Sequence, residues 1–279
     1  MRYRHRIVYA KGNRSKEFVD FLKERNAVFE KSESTLQVVY LFEEEEWIDQ
    51  LYKVLQSEHT SSMIDTIFTP EEFEKAEWLT IRPKFRFEYP QPETYYKTNG
   101  VTYDSSNYCD GCGCGLKQKD SFRLKRTPSW GKKHFLKINW VEDEMFVSSA
   151  AMKIISDGNI TGLKFIDVIK NKTDLVLENI HQVIVQGILE PGFLPSSKSV
   201  DSTIVCKKCG HEKYITTGRE LTFRREIFAN LDCDIIKSHE TFGPGVICSN
   251  KIIVSQRFYQ LLVKHKMDKD VEFKPLTLV

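Results

Sequence analysis

The chain has 279 residues, with 41 Lys+Arg against 39 Asp+Glu, 41% hydrophobic residues and seven cysteines. Fourteen glycines and nine prolines are too few for a collagen-like or low-complexity chain, and the apolar content is too high for a disordered one. A formal net charge of +2 gives no global argument for nucleic-acid or membrane-surface binding, and no run approaches the roughly 18 apolar residues of a membrane span.

The amino-terminal part alternates apolar strands with amphipathic helices. HRIVYA (5–10) is a strand candidate. Ser15 can cap a helix that puts Phe18, Phe21 and Leu22 on one face. LQVVYLF (36–42) is a second strand, and a helix follows with Trp47, Ile48, Leu51, Tyr52 and Leu55 along one stripe. Glu43 to Glu46, just ahead of it, complement the positive end of that helix. MIDTIF (63–68) is a third strand. Thr69-Pro70-Glu71-Glu72 is a capping box with proline at the first helical position. RPKFRFEY (82–89) reads as a fourth strand, and Pro83, Pro90 and Pro92 mark an extended connector. Residues 1–100 carry a net charge of −3 and the rest +5.

The remainder reads as a unit present twice. CDGCG (109–113) and CKKCG (206–210) each precede a basic strand candidate, Phe122 to Arg126 and Phe223 to Arg225. Val147-Ser148 then matches Val254-Ser255, each serine placed to cap a helix. Ala151, Ile154 and Ile155 fill one helical face in the first copy; Phe258, Leu261 and Leu262 fill it in the second. Leu163 and Phe165 are matched by Val271 and Phe273 in the strand that follows. The expected organisation is an amino-terminal α+β domain at 1–95, a first CxxCG unit at 96–170, connecting strands at 171–200 and a second CxxCG unit at 201–279. The fold class is α+β: an α/β sandwich-like domain followed by a duplicated α+β domain with a two-knuckle, zinc-ribbon-like site.

The two CxxCG motifs carry the most specific chemistry. Two cysteines spaced by two residues wrap a tight turn around one metal, the following glycine accepts positive φ, and the turn's amides can point at the thiolates. Two such knuckles supply four sulfurs, so Cys109, Cys112, Cys206 and Cys209 are the candidate ligands of a structural Zn2+. Iron in a rubredoxin-like site would use the same knuckles, and the spacing does not separate the two. Four thiolates leave no open coordination position, which argues for architecture rather than metal catalysis. Cys114 reads as a spare thiol, Cys233 and Cys248 as buried small hydrophobes, and His211 as a surface histidine. Paired cysteines are read as metal ligands because the start, MRYRHRIVYAK, lacks a signal peptide's apolar stretch and a reducing cytoplasm is expected.

With these knuckles about a hundred residues apart, residues from about 100 to 279 resemble the bacterial double-CXXCG motif proteins. FVSSAAMKIISDGNITGLKFIDV (146–168) is similar to the strand, Ser, helix, Gly-Leu, strand segment of that family and of some polymorphic-toxin immunity proteins. The resemblance implies a protein that neutralises a toxin or effector by binding it. It carries over no catalytic residue and does not reach the amino-terminal domain. The expected function is therefore a non-enzymatic immunity-type protein with a protein partner and no membrane. A basic, aromatic stretch at 117–133 (Arg123, Lys125, Arg126, Trp130, Lys132 and Lys133 among its members) supports a different class, a nucleic-acid-binding zinc-ribbon protein. No GxGxxG, GxxxxGK[ST], GxSxG or HExxH motif is present.

Overall fold

In the first strand, His5, Ile7 and Tyr9 are buried in strict alternation, the period-2 signature of a sheet with one covered face. The computed structural model describes residues 1–31, 33–93 and 100–279. Its first layer runs β1 (Arg2–Ala10), α1 (Lys16–Glu24), β2 (Val28–Phe29), β3 (Leu36–Phe42), α2 (Ile48–Ser57), β4 (Ser62–Ile67) and α3 (Pro70–Lys75). The sheet order is β2-β3-β1-β4, all antiparallel. The Ser15 hydroxyl accepts from the Phe18 amide at 3.1 Å and starts α1. Phe18, Phe21 and Leu22 of α1, with Leu51 and Leu55 of α2, close over Ile7, Tyr9, Val39 and Leu41. Tyr52, expected on the buried stripe, is instead 44% exposed. The Thr69–Glu72 capping box forms reciprocally, at 3.3 and 2.8 Å.

The next stretch contains β5 (Trp78–Pro83), β6 (Arg86–Phe87), β7 (Tyr103–Asp104), β8 (Lys117–Gln118), β9 (Arg123–Leu124), β10 (Phe135–Ile138), β11 (Met145–Val147), α4 (Ser149–Asp157), β12 (Leu163–Lys170) and β13 (Val176–Val185). The last contains β14 (Val200–Val205), β15 (Glu212–Thr216), β16 (Thr222–Phe223), β17 (Ile235–Phe242), β18 (Ser249–Ser255), α5 (Gln256–Lys264), β19 (Val271–Pro275) and β20 (Thr277–Leu278). Two six-stranded sheets result, β6-β10-β11-β13-β12-β9 and β14-β15-β17-β18-β5-β19. The molecule is mixed α+β and mostly sheet.

The single strand expected at 82–89 is two strands. Pro83 has no amide to donate, so β5 ends there and the chain turns away, with the Lys84 amide bound to Asp270 O at 2.9 Å. β5 does not join the amino-terminal sheet. It lies between β18 and β19, antiparallel to both. The two expected basic strands shrink to two-residue pieces: β9 runs parallel to β12 at a sheet edge, and β16 pairs with β20.

Ser148 and Ser255 cap α4 and α5 through bonds to the amides of Ala151 and Phe258, both at 3.2 Å. Ala151 and Ile155 of α4, and Phe258 and Leu262 of α5, bury into one shared core with Leu79, Ile81, Val147 and Val254. The helices meet so closely that a Cβ on Gly158 would stand 2.8 Å from Leu261 Cδ2. Arg257 secures the contact, bonding Gly158 O at 2.6 Å and the largely buried Asp234 carboxylate at 2.8 Å. Among the described residues, no helix is long and apolar enough to cross a membrane.

Candidate metal centre

Each knuckle is shaped by its own backbone. In the first, Gly113 N donates to Cys109 O at 2.7 Å and Cys109 N donates to Cys114 O at 2.9 Å, closing the loop on itself. Gly113 sits at φ +79, and a Cβ there would meet Val246 O at 1.8 Å; Gly115, at φ +95, has the same relation to Asn107 O at 1.9 Å. Only glycine fits at either position. In the second knuckle, Gly210 N donates to Cys206 O at 2.8 Å and Cys206 N to His211 O at 2.9 Å. Gly210 also has positive φ, +73, but faces open space.

The fold brings the knuckles together across 97 residues. Cys109 Sγ lies 3.7 Å from Cys206 Sγ, and Cys112 Sγ lies 3.6 Å from Cys209 Sγ. All four sulfurs stand within 4.8 Å of one another. Sulfurs about 2.3 Å from a tetrahedral ion are separated by roughly 3.7–3.8 Å, so the four sequence-assigned cysteines fit a metal ion. Their environments differ. The Cys209 and Lys208 amides point at Cys206 and hold its thiol down to about 6, whereas burial pushes Cys112 up to about 12. A cation among the sulfurs is what would let Cys112 ionise. An exposed Lys208–Asp110 pair at 2.8 Å spans the two knuckles.

Sequence reasoning missed two supports. Cys114 and Cys248 are disulfide-bonded, so neither is the spare thiol or small hydrophobe expected. Their bond ties the first knuckle to the loop before β18. Both lie far apart in sequence, in no ligand spacing, and nothing local pairs them. The second support is Lys213 on β15, 1% exposed, whose ammonium donates to Cys112 O and Ile247 O at 2.9 Å and also to Gly245 O. It binds the first knuckle to the same loop and sets a positive charge beside a thiolate cluster. A lysine on a strand immediately after a knuckle was the only available signal. His211 is exposed as expected, its Nε2 2.7 Å from Thr241 Oγ1.

Three cations of the basic stretch are paired with carboxylates from other segments. Arg123 pairs with Asp174, Lys125 with Glu93 at 2.8 Å and Arg126 with Glu88 at 2.8 Å. The Trp130 indole donates to Asn179 O at 2.8 Å, and its ring packs against a core that includes Leu124 and Ile180. Lys133 lies over the Phe85 ring, 3.9 Å from its centre. Lys132 is exposed. In the acidic run, Glu43 does not serve the α2 terminus. It accepts from Arg219 and contacts His5 Nε2 at 3.1 Å, joining the amino-terminal layer to the turn after β15. Burial lowers the His5 pKa, so that ring stays neutral at physiological pH.

No protein-family model matches this chain, and no curated protein matches it significantly.

Proposed function

We propose that this is a non-enzymatic, zinc-stabilised binding protein of the immunity type, which neutralises a toxin or effector by occluding it. The carrying observation is the closed four-sulfur set: the geometry suits a structural ion and offers no open coordination position. Thiolate-only ligation favours zinc, although the same cage accommodates iron. The resemblance of residues 100–279 to double-CXXCG proteins supplies the immunity reading. The site is a clip between two related units, β11–α4–β12 and β18–α5–β19, each a strand running through a capping serine into a nine-residue helix and then a strand. Duplication is supported by that order, and by β13 and β5 each lying between the two strands of its unit, β11 and β12 in one sheet and β18 and β19 in the other. A cytoplasmic location fits the thiolate site and requires the Cys114–Cys248 bond to be sheltered from reductants; Cys114 is 7% exposed.

The test is co-expression with the product of the adjacent gene. A stable stoichiometric complex that restores growth to cells producing that product supports the reading; a neighbour that is not toxic and does not bind overturns it. Nucleic-acid binding is the alternative class, and the carboxylates beside Arg123, Lys125 and Arg126 weaken it. Fluorescence anisotropy with single- and double-stranded DNA and RNA at low salt decides it: affinity that falls steeply with salt would favour this alternative.

A further inference from the structure

A cavity of about 800 Å3 lies between the amino-terminal layer and one face of the last sheet. The β5 residues Trp78, Thr80 and Arg82 alternate onto that face, as do Lys251 and Ile253 of β18 and Glu272, Lys274 and Leu276 at the β19 end. Trp78, Ile253 and Leu276 bury at one end in an apolar cluster. Toward the other end the face turns charged: Arg82 stands opposite Glu272, and Thr80 opposite Lys274. β4 (Ser62 to Asp65) and the turn at 216–221 form the far wall. There the backbone of Gly218, at φ +99, approaches so closely that a Cβ would meet Ile64 O at 1.9 Å.

Lys251 is the exception on this surface. Among the described residues its ammonium has no hydrogen bond and no ion pair, only the Phe242 ring 4.9 Å away. The carboxylates that attract it, Glu142 and Glu272, are already engaged, and the exposed Asp201 also lines the cavity. Glu142 is shared by three cations, Lys137 at 2.6 Å, Arg86 at 3.4 Å and Arg82 at 3.8 Å. Glu272 is taken by Lys274 at 3.7 Å. On the far wall Asp65 pairs with Arg4 at 3.3 Å, and Glu220 accepts from the Tyr3 hydroxyl at 2.8 Å. Lys251 keeps a small exposed area and lines the cavity; the protein otherwise encloses it so well that burial, with Arg82 and Lys274 beside it, pushes its pKa down to about 8. An enclosed cation without a counter-charge is costly to keep. Of the charged groups facing it, Arg82 and Lys274 repel it more than Glu272 and Glu142 attract it.

We propose that this cavity binds a small molecule bearing a multivalent oxyanion, with Lys251 as its anchoring cation and Arg82 and Lys274 flanking it. The volume suits a metabolite-sized ligand, and the apolar lining at Leu221 and Leu276 would take the rest of such a molecule. The oxyanion supplies the counter-charge that Lys251 lacks, and binding raises the lysine's proton affinity, so the complex takes up protons near pH 8.5.

Titration calorimetry with the full-length, metal-loaded protein tests this, using inorganic pyrophosphate and citrate as separate probes at matched ionic strength. Saturable one-to-one binding of either is expected, and which one binds distinguishes a phosphate ligand from a carboxylate one. Lys251→Gln should weaken binding at least tenfold and Lys251→Arg should retain most of it. Circular dichroism melts establish that the variants fold. Should they not, the wild type still decides: repeating the titration at pH 8.5 in buffers of different ionisation enthalpy must show proton uptake, and affinity must fall at pH 10. No saturable binding of either probe, equal binding by the Gln variant, or binding without proton uptake overturns the proposal.

Discussion

Two enclosed lysines, Lys213 at the metal junction and Lys251 in the cavity, show opposite solutions to the same electrostatic problem. Lys213 is almost fully buried and surrounded by three backbone carbonyls, one from a knuckle and two from the loop before β18. It acts as a rivet, and its neighbourhood is closed further by a disulfide and by glycines that leave no room for a Cβ. Lys251 lines open volume with no polar partner. Lys137 and Lys237 follow the first pattern, each buried against a carboxylate, at 2.6 Å from Glu142 and Glu144 respectively. The fold therefore satisfies these cations where it needs rigidity, and Lys251, left without a polar partner among the described residues, marks a place for something else.

The comparison is most easily broken at the metal junction. If the cluster holds the proposed zinc, Cys109→Ser with Cys112→Ser should reduce it from about one per chain to none by elemental analysis, and lower stability by roughly 5 kcal/mol or more in chemical denaturation. If the knuckles are rigid for the reason given, Gly113→Ala should cost about 3–5 kcal/mol because its Cβ must displace the Val246 carbonyl. Gly210→Ala, strained only in φ, should cost about 1–2 kcal/mol; equal losses would mean that the Val246 contact is easily relaxed.

Lys213→Met should destabilise by about 2–4 kcal/mol, since buried carbonyls lose a charged donor. Lys251→Met should do the reverse and raise ligand-free stability by about 1–2 kcal/mol. The sign can be checked by pH. With the Lys251 pKa lowered to about 8 in the folded state, the unfolded chain binds more protons between about pH 8 and its ordinary lysine value. Wild-type stability should rise across that window relative to the Lys251→Met variant, and a flat difference between the two would remove Lys251 as an enclosed cation. The smallest effect is expected at Lys208→Ala: its pair with Asp110 is exposed, and denaturation should not separate this variant from wild type.

Much of the local structure was legible because it is encoded locally. Ser15, Ser148 and Ser255 each needed only an amide three residues on, and the Thr69–Glu72 box closes within four residues. The four clustered cysteines were legible because the CxxCG turn is itself short-range, even though the two turns come from distant segments. What escaped was set by packing between distant segments. The strand expected at 82–89 forms instead mainly at 78–83, where β18 and β19 receive it, and those partners lie far away in sequence. The Cys114–Cys248 bond and the Lys213 clamp depend on where the loop at 244–248 falls. Lys251 resembles any other strand lysine until the Phe242 ring and the far wall enclose it. The ion pairs of the basic stretch were illegible for the same reason, because Glu88, Glu93 and Asp174 come to it from outside its own sequence.

The position of β5 has a consequence for how the chain is made. Trp78–Pro83 is synthesised well ahead of its two neighbours, Ser249–Ser255 and Val271–Pro275. At roughly 5–20 residues per second, the strand waits on the order of 10–40 s with Leu79 and Ile81 uncovered. Its apolar edge is then a target for chaperones or for another nascent chain, and the amino-terminal layer, complete by Ile67, can form long before the rest of the molecule has a core. A chain started after the first ninety-five residues would lack the strand that joins β18 to β19, so its last sheet would be left split.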